Sequence, residues 1–286
     1  MVFSKKMMDR NVPLCFLKIL MYWYLNLYSI CKWGTKISFC FHVTSGVRQG
    51  GILSPKLFAI YVDTLISILR KAHIGCHILD LFLACIFYAD DLVLLSPSRE
   101  SMQKLVDLCV EYGDQFCIEF SYKKTKTMVF QKTKIDAIPI YIKGRPIEIV
   151  SSWRYLGFNL TCRKHFAFSA EPELLSFYRA SNCIINCINK PSEEVLMKLL
   201  YSNCIPILSY GCDVKSFSSN EMCKINVAIN DSIRKIVGWN RWESVRTLRI
   251  SMGFKSIYEI FEIQKRRFLN HIPLVRNHVL NSILNL

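Results

Sequence analysis

The stretch that most constrains this chain is Phe87-Tyr88-Ala89-Asp90-Asp91, two adjacent carboxylates set inside an apolar run. Apolar residues lead up to it from Leu79 and away from it through Leu92-Val93-Leu94-Leu95. An ionised carboxylate taken out of water alone costs several kcal/mol, so both acids must be solvated, paired or bound to a cation. The pattern predicts a hairpin with buried strands and the two acids at its crest, at the rim of a sheet. Two readings fit that position. Asp is a good turn former, and the pair can be a solvated turn. It can also hold a divalent metal, because Mg²⁺ takes oxygen ligands, typically one or two carboxylates plus substrate phosphates. In two-metal sites such ions clamp the attacking and leaving oxygens of a displacement.

Composition narrows the partners. The 286 residues are enough for two modest domains, and 37 Lys and Arg against 22 Asp and Glu give a net charge of +15. Such a balance favours a polyanion, nucleic acid or an anionic membrane, over an acidic protein. The 13 cysteines include no C-x-x-C pair, which argues against a structural zinc site. Without a secretory signal, free thiols in an intracellular compartment, cytoplasm or nucleus, are expected. Val12 to Cys31 has the length of a membrane span, but Lys18, Asn26 and its many aromatics predict an amphipathic helix packed on the domain instead. Asp80, Asp90 and Asp91 make the Leu79 to Leu95 run a poor span as well, so no membrane partner is expected.

A second informative stretch runs from Thr44 to Pro55. Gly46, Gly50 and Gly51 let backbone approach a ligand closely. Ser54 is expected to cap a helix that begins at Pro55, with Leu57, Tyr61, Leu65 and Ile68 along one apolar stripe. Arg48 and Gln49 are then presented at a helix N-terminus, where backbone N–H groups favour phosphate; an ordinary loop entering a core helix is the other reading. Further on, Ser98 should cap a helix carrying Leu105, Val106, Cys109 and Tyr112 on one face, with Gly113 past its end. Strands are expected over 116–120 and 127–131, and a hairpin over 138–150 with its turn at Lys143-Gly144-Arg145-Pro146. From Glu173 the pattern is helical, with Ser218/Glu221 and Ser256/Glu259 in capping-box spacing.

Taken in order, Gly46-Val47-Arg48-Gln49-Gly50, Ser54-Pro55-Lys56-Leu57-Phe58, Phe87-Tyr88-Ala89-Asp90-Asp91, Lys124-Thr125 and Tyr155-Leu156-Gly157 resemble the motifs of reverse transcriptases of non-LTR (LINE-type) retrotransposons. Leu208-Ser209-Tyr210-Gly211-Cys212 and Ile233-Arg234-Lys235-Ile236-Val237-Gly238 also resemble the region after the polymerase core, so the likeness spans nearly the whole chain. The resemblance implies an α/β fold: a right-hand polymerase palm, an incomplete antiparallel sheet with packed helices, over 1–160, followed by a mainly helical thumb-like or connection-like domain over 161–286. It implies RNA-directed DNA polymerisation by two-metal chemistry with Mg²⁺, or Mn²⁺ in its place. The partners are an RNA template, a DNA primer and deoxynucleoside triphosphates. It makes Asp90 the principal catalytic metal ligand and Asp91 its neighbour, with unequal roles because successive strand residues face opposite ways. Arg48, Gln49, Gly50 and Gly51 would line the template and incoming nucleotide. Lys124 would serve the departing pyrophosphate, and Tyr155, Leu156 and Gly157 would support the primer end.

The departures shape a second expectation. The family's first polymerase motif, with its own Asp, comes shortly before the segment that begins this chain. Phe3 to Pro13 look like the residues just after it, and Asp9, followed by Arg10-Asn11, has the wrong context. Ser121 stands where the Lys124 motif usually has Asn. Without a facing carboxylate the isolated chain is expected to lack appreciable polymerase activity. The alternative is a non-catalytic RNA- or DNA-binding remnant. It would use Lys123, Lys124, Lys126, Lys132 and Lys134, and a second basic cluster between Arg234 and Arg267 interleaved with Trp239 and Trp242. The sequence leaves the oligomeric state open.

Overall fold

The computed structural model describes residues 2–44, 46–130, 138–162, 166–186, 191–275 and 277–284. Helices and short strands alternate in the first part of the chain and helices dominate the last, the mixed α/β composition expected. The chain divides into two units, Met1–Tyr122 with Ile140–Pro146, and Lys123–Pro139 with Ile147–Leu286.

In the first unit the helix Ser54–Lys71 is the spine, about 27 Å long for its 18 residues. Its two halves serve different cores. Leu57 joins Met7, Leu17 and Leu20 in one cluster, whereas Leu65 and Leu69 join Leu105, Cys109 and Tyr112 of the helix Arg99–Phe116 in another. Lys6 ties the two together: its ammonium donates to the Tyr61 carbonyl (2.5 Å) and the Tyr112 hydroxyl (2.9 Å) and lies 4.5 Å from the Phe116 ring centroid. Burial lowers the Lys6 pKa below the ordinary lysine value, because the charged form gives up water for two oxygens and three rings.

Several expectations change here, each for a local reason. The helix Leu14–Leu25 is shorter than the apolar stretch and buries only Leu17 and Leu20, leaving Ile19, Tyr22 and Leu25 exposed, so it is apolar nearly all round. Ser54 is not the cap; it is the first helical residue, and Leu53 precedes it without a side-chain cap. Ser98 does cap its helix, accepting from the Ser101 N–H. Gly113 lies inside that helix, where an added Cβ would meet the Ile118 carbonyl at 2.4 Å, and the left-handed terminating residue is Cys117 (φ 54°). The segment expected as a strand from Phe116 therefore starts as helix. A tight hairpin, His77–Ile78 with Leu81–Phe82, takes up the start of the apolar run.

The second unit carries an antiparallel sheet, Ser152–Tyr155, Phe158–Cys162 and Phe166–Phe168. A parallel ribbon pairs Lys126–Thr127 with Glu148–Ile149, so Glu148 does not return against residues 141–142; Tyr141–Ile142 pairs with Arg145–Pro146 instead. Gln131, at the end of the second expected strand, lies outside the described residues. The helices Glu171–Ile185, Glu193–Leu199, Ile205–Ser209, Ser219–Val237 and Ile257–His271 enclose Phe177, Met197, Leu200, Ile225 and Ile233. Both capping boxes form, Ser218 with Glu221 and Ser256 with Glu259. Among the described residues no helix is long and apolar enough to cross a membrane.

Candidate active site

The paired acids sit where the sequence puts them. Cys85–Tyr88 and Asp91–Leu94 form a two-stranded antiparallel hairpin with Ala89-Asp90 as its two-residue turn. Cys85, Phe87, Leu92 and Leu94 pack on the core, which fixes the register. The other face, with Ile86 half exposed and Tyr88 62% exposed, is open, so the strands are buried on one face and not on both. Asp90 is a turn residue and Asp91 the first strand residue beside Tyr88, so strand alternation governs Asp91 alone. Both carboxylates are exposed. Among the described residues neither has an ion pair or a side-chain hydrogen bond. Ala89 holds φ at 53°, a region that L-residues avoid. Strain of this kind is maintained where the surrounding structure enforces it, and here the paired strands do so.

The glycine-bearing loop also closes on itself. The Ser54 hydroxyl donates to the Arg48 carbonyl (2.5 Å), which also accepts from the Gly51 N–H (3.1 Å). A Cβ on Gly51 would meet the Ser54 hydroxyl at 2.6 Å, so this glycine makes room, whereas Gly50 is required by its φ of 76°. Arg48, Gln49, Gly50 and Gly51 line a cavity of about 560 Å³ together with Trp23, Tyr24 and Leu27. Trp23 and Tyr24 are not singled out by the sequence because what brings them to the same cavity as the loop is non-local; the one signal is two aromatics at the end of an apolar helix. Asp90 and Asp91 are not among the lining residues.

Lys124 and Tyr155-Leu156-Gly157 belong to the second unit. Lys124 is exposed in a turn just before the strand Lys126–Thr127. Lys126 pairs with Glu148 and stands 5.6 Å from the Trp153 ring centroid. Lys132 and Lys134 lie outside the described residues. Tyr155 pairs with Phe158 across a two-residue turn, Leu156-Gly157, whose φ values of 47° and 81° are those of a tight primed hairpin turn. In the second basic cluster Arg234 is already engaged, donating to Asp231 and to the Glu243 carbonyl, while Lys235, Arg241 and Arg246 are exposed and Trp242 is 84% exposed.

The metal chemistry can be tested on this donor set. Asp90 and Asp91 offer the hard oxygens Mg²⁺ prefers, and one or two carboxylates plus phosphate is an ordinary Mg²⁺ environment. Among the described residues no group of three or more His, Cys, Asp or Glu side chains gathers to hold an ion. The pair therefore fits an ion completed by water and phosphate and does not form a closed cage.

Comparison with known proteins gives this arrangement its context. The family of reverse transcriptases (RNA-dependent DNA polymerases) matches residues 4–160, more than half of the chain, and the chain belongs to that family. Within it, the relatives are of the non-LTR retrotransposon kind. The chain is 24% identical over 266 residues to the RNA-directed DNA polymerase from mobile element jockey of Drosophila funebris, covering 89% of this chain and 28% of that protein. It is 30% identical over 125 residues to the Retrovirus-related Pol polyprotein from type-2 retrotransposable element R2DM of Drosophila melanogaster, covering 41% and 12%. It is 19% identical over 258 residues to the probable RNA-directed DNA polymerase from transposon X-element of the same species, covering 85% and 27%. The chain spans about a quarter or less of the length of these curated relatives.

Proposed function

We propose that this chain supplies the palm and thumb-like parts of a retrotransposon reverse transcriptase, and that its reaction is addition of deoxynucleotides to a DNA primer on an RNA template. The observation that carries the reading is the hairpin tip, where two exposed carboxylates, with no ion pair or side-chain hydrogen bond among the described residues, stand above a packed register in a member of this family. Asp90 and Asp91 hold Mg²⁺, with Asp90 the principal ligand; the ion, when bound, neutralises phosphate charge at the primer end. Arg48, Gln49 and the bare backbone of Gly50 and Gly51 face template and nucleotide. Lys124 places a cation for the departing pyrophosphate, and the turn at Leu156-Gly157 supports the primer.

The same observations set a limit. Among the described residues no third acid joins this pair, so Asp90 and Asp91 would hold an ion loosely, and an error of about 1 Å in placing reacting atoms costs on the order of a hundredfold. The isolated chain is proposed to have no appreciable polymerase activity while retaining nucleic-acid binding. Robust Mg²⁺-dependent primer extension on an RNA template that disappears in Asp90→Ala would overturn the inactivity and keep the site assignment. Mn²⁺ binding followed by electron paramagnetic resonance should weaken in Asp90→Ala; unchanged binding removes Asp90 as a ligand.

A net charge of +15 favours the second reading, a non-catalytic RNA- or DNA-binding remnant. Its affinity for an RNA–DNA hybrid should fall steeply as salt rises. Salt-insensitive binding would remove it.

A further inference from the structure

We propose that Tyr210 is the positioning residue of the primer-support turn, locking Leu156-Gly157 against the helical part of the second unit; this rests on the primer-support reading given above. The segment Leu208-Ser209-Tyr210-Gly211-Cys212 has no other assigned role, yet it is built onto that turn from several directions. The Tyr210 hydroxyl donates to the Leu156 carbonyl at 3.1 Å, 54 residues away in sequence. A Cβ on Gly157 would meet the Tyr210 ring at 2.8 Å, so the ring occupies space that only glycine leaves open. The relation is reciprocal: a Cβ on Gly211 would meet the Phe158 ring at 2.3 Å. The Phe158 and Tyr210 rings lie 5.6 Å apart, and each follows a glycine or precedes one at a positive φ. Two residues of the hairpin and two of the helical segment thus interlock, one aromatic ring from each over one glycine of the other.

A charge is buried beneath this interlock. The Lys215 ammonium lies 5.0 Å from the Phe158 ring centroid and 6.0 Å from that of Tyr210, and pairs with Glu173 at 2.8 Å. The two side chains are 1% and 11% exposed. An ammonium this well covered keeps its charge only with a partner, and the rings it faces gain a cation–π contact in return. The pair therefore fixes where Phe158 and Tyr210 stand, and through them the carbonyl of Leu156. Tyr210 remains 55% exposed on its outer side, so the surface it shapes is open to solvent and to a nucleic-acid end.

The test uses the whole chain and three fluorescently labelled ligands: an RNA–DNA hybrid with a recessed DNA 3′ end, the blunt hybrid, and single-stranded RNA. Tyr210→Phe keeps the ring and removes the hydroxyl, and should lower the preference for the recessed end by about threefold to tenfold, the range of one lost hydrogen bond. Binding to single-stranded RNA should stay unchanged. Gly157→Ala should lower the same preference, and should lower it less in a Tyr210→Ala background, where the ring it strikes is gone. A preference that persists in both Tyr210→Phe and Tyr210→Ala overturns the positioning role, as does equal cost of Gly157→Ala in both backgrounds. Weakening that is uniform across the three ligands reads as general loss of structure and also overturns it. If the unsubstituted chain shows no preference for the recessed end, the primer-support reading itself falls, and this inference with it.

Discussion

The two hairpin turns that carry the chain's motifs solve one backbone problem in opposite ways. Both Ala89-Asp90 and Leu156-Gly157 are two-residue turns that force an L-residue to a positive φ, 53° at Ala89 and 47° at Leu156. Leu156 has its carbonyl bonded by Tyr210, a glycine beside it and a buried ion pair behind it. Ala89-Asp90 is held by its strands, and its acids have no protein partner among the described residues. A turn that presents backbone shape can be locked from outside, as Leu156-Gly157 is.

That contrast can be broken or sharpened by a graded series. Glu173→Ala leaves the Lys215 charge buried alone and should cost about 3–5 kcal/mol in denaturant unfolding; a loss below 1 kcal/mol would mean the ion pair braces nothing. Gly211→Ala adds a Cβ 2.3 Å from the Phe158 ring at a φ of 65° and should cost about 2–4 kcal/mol. Alkaline pH acts on the buttressed turn as well. Burial pushes the Cys212 thiol up to about 11 from 9.0. The folded chain therefore keeps this proton longer than the unfolded chain. The stabilisation is fully present below pH 9 and is lost as pH rises through 11, worth about 3 kcal/mol as the difference between the parent and Cys212→Ala profiles. At the other turn the signs reverse: Ala89→Gly relieves the positive φ and should raise stability by up to about 1 kcal/mol. Asp90→Asn should leave stability within about 0.5 kcal/mol, since the carboxylate is exposed and has no side-chain partner among the described residues, while weakening Mn²⁺ binding.

Local signals were legible where chemistry within a few residues decides the outcome. Ser98, Ser218 and Ser256 each cap a helix as their spacing predicts. Ser54 misleads because a serine before proline has two uses, and here its hydroxyl closes the loop onto the Arg48 carbonyl six residues back. Gly113 misleads similarly: glycine after an apolar face reads as a residue past the helix end, but it lies in the helix's last turn, where the Ile118 carbonyl returns so closely that only glycine fits. The apolar run of Leu79 to Leu95 is not one hairpin: Leu79 sits in the turn of the hairpin His77–Ile78 with Leu81–Phe82, at a φ of 51°, and the second hairpin begins only at Cys85.

By itself the sequence determined the family, the tip on which Asp90 and Asp91 stand, the glycine loop and the helix caps at Ser98, Ser218 and Ser256. These rest on order, spacing and neighbours along the chain, which the chain carries with it. Only the tertiary structure decided that Trp23 and Tyr24 line one cavity with Gly50 and Gly51, that Lys6 sits among three rings, and that Tyr210 closes over Gly157. Each of these contacts joins residues tens of positions apart, and which distant surfaces meet is set by packing shape and buried charge, quantities no local pattern encodes.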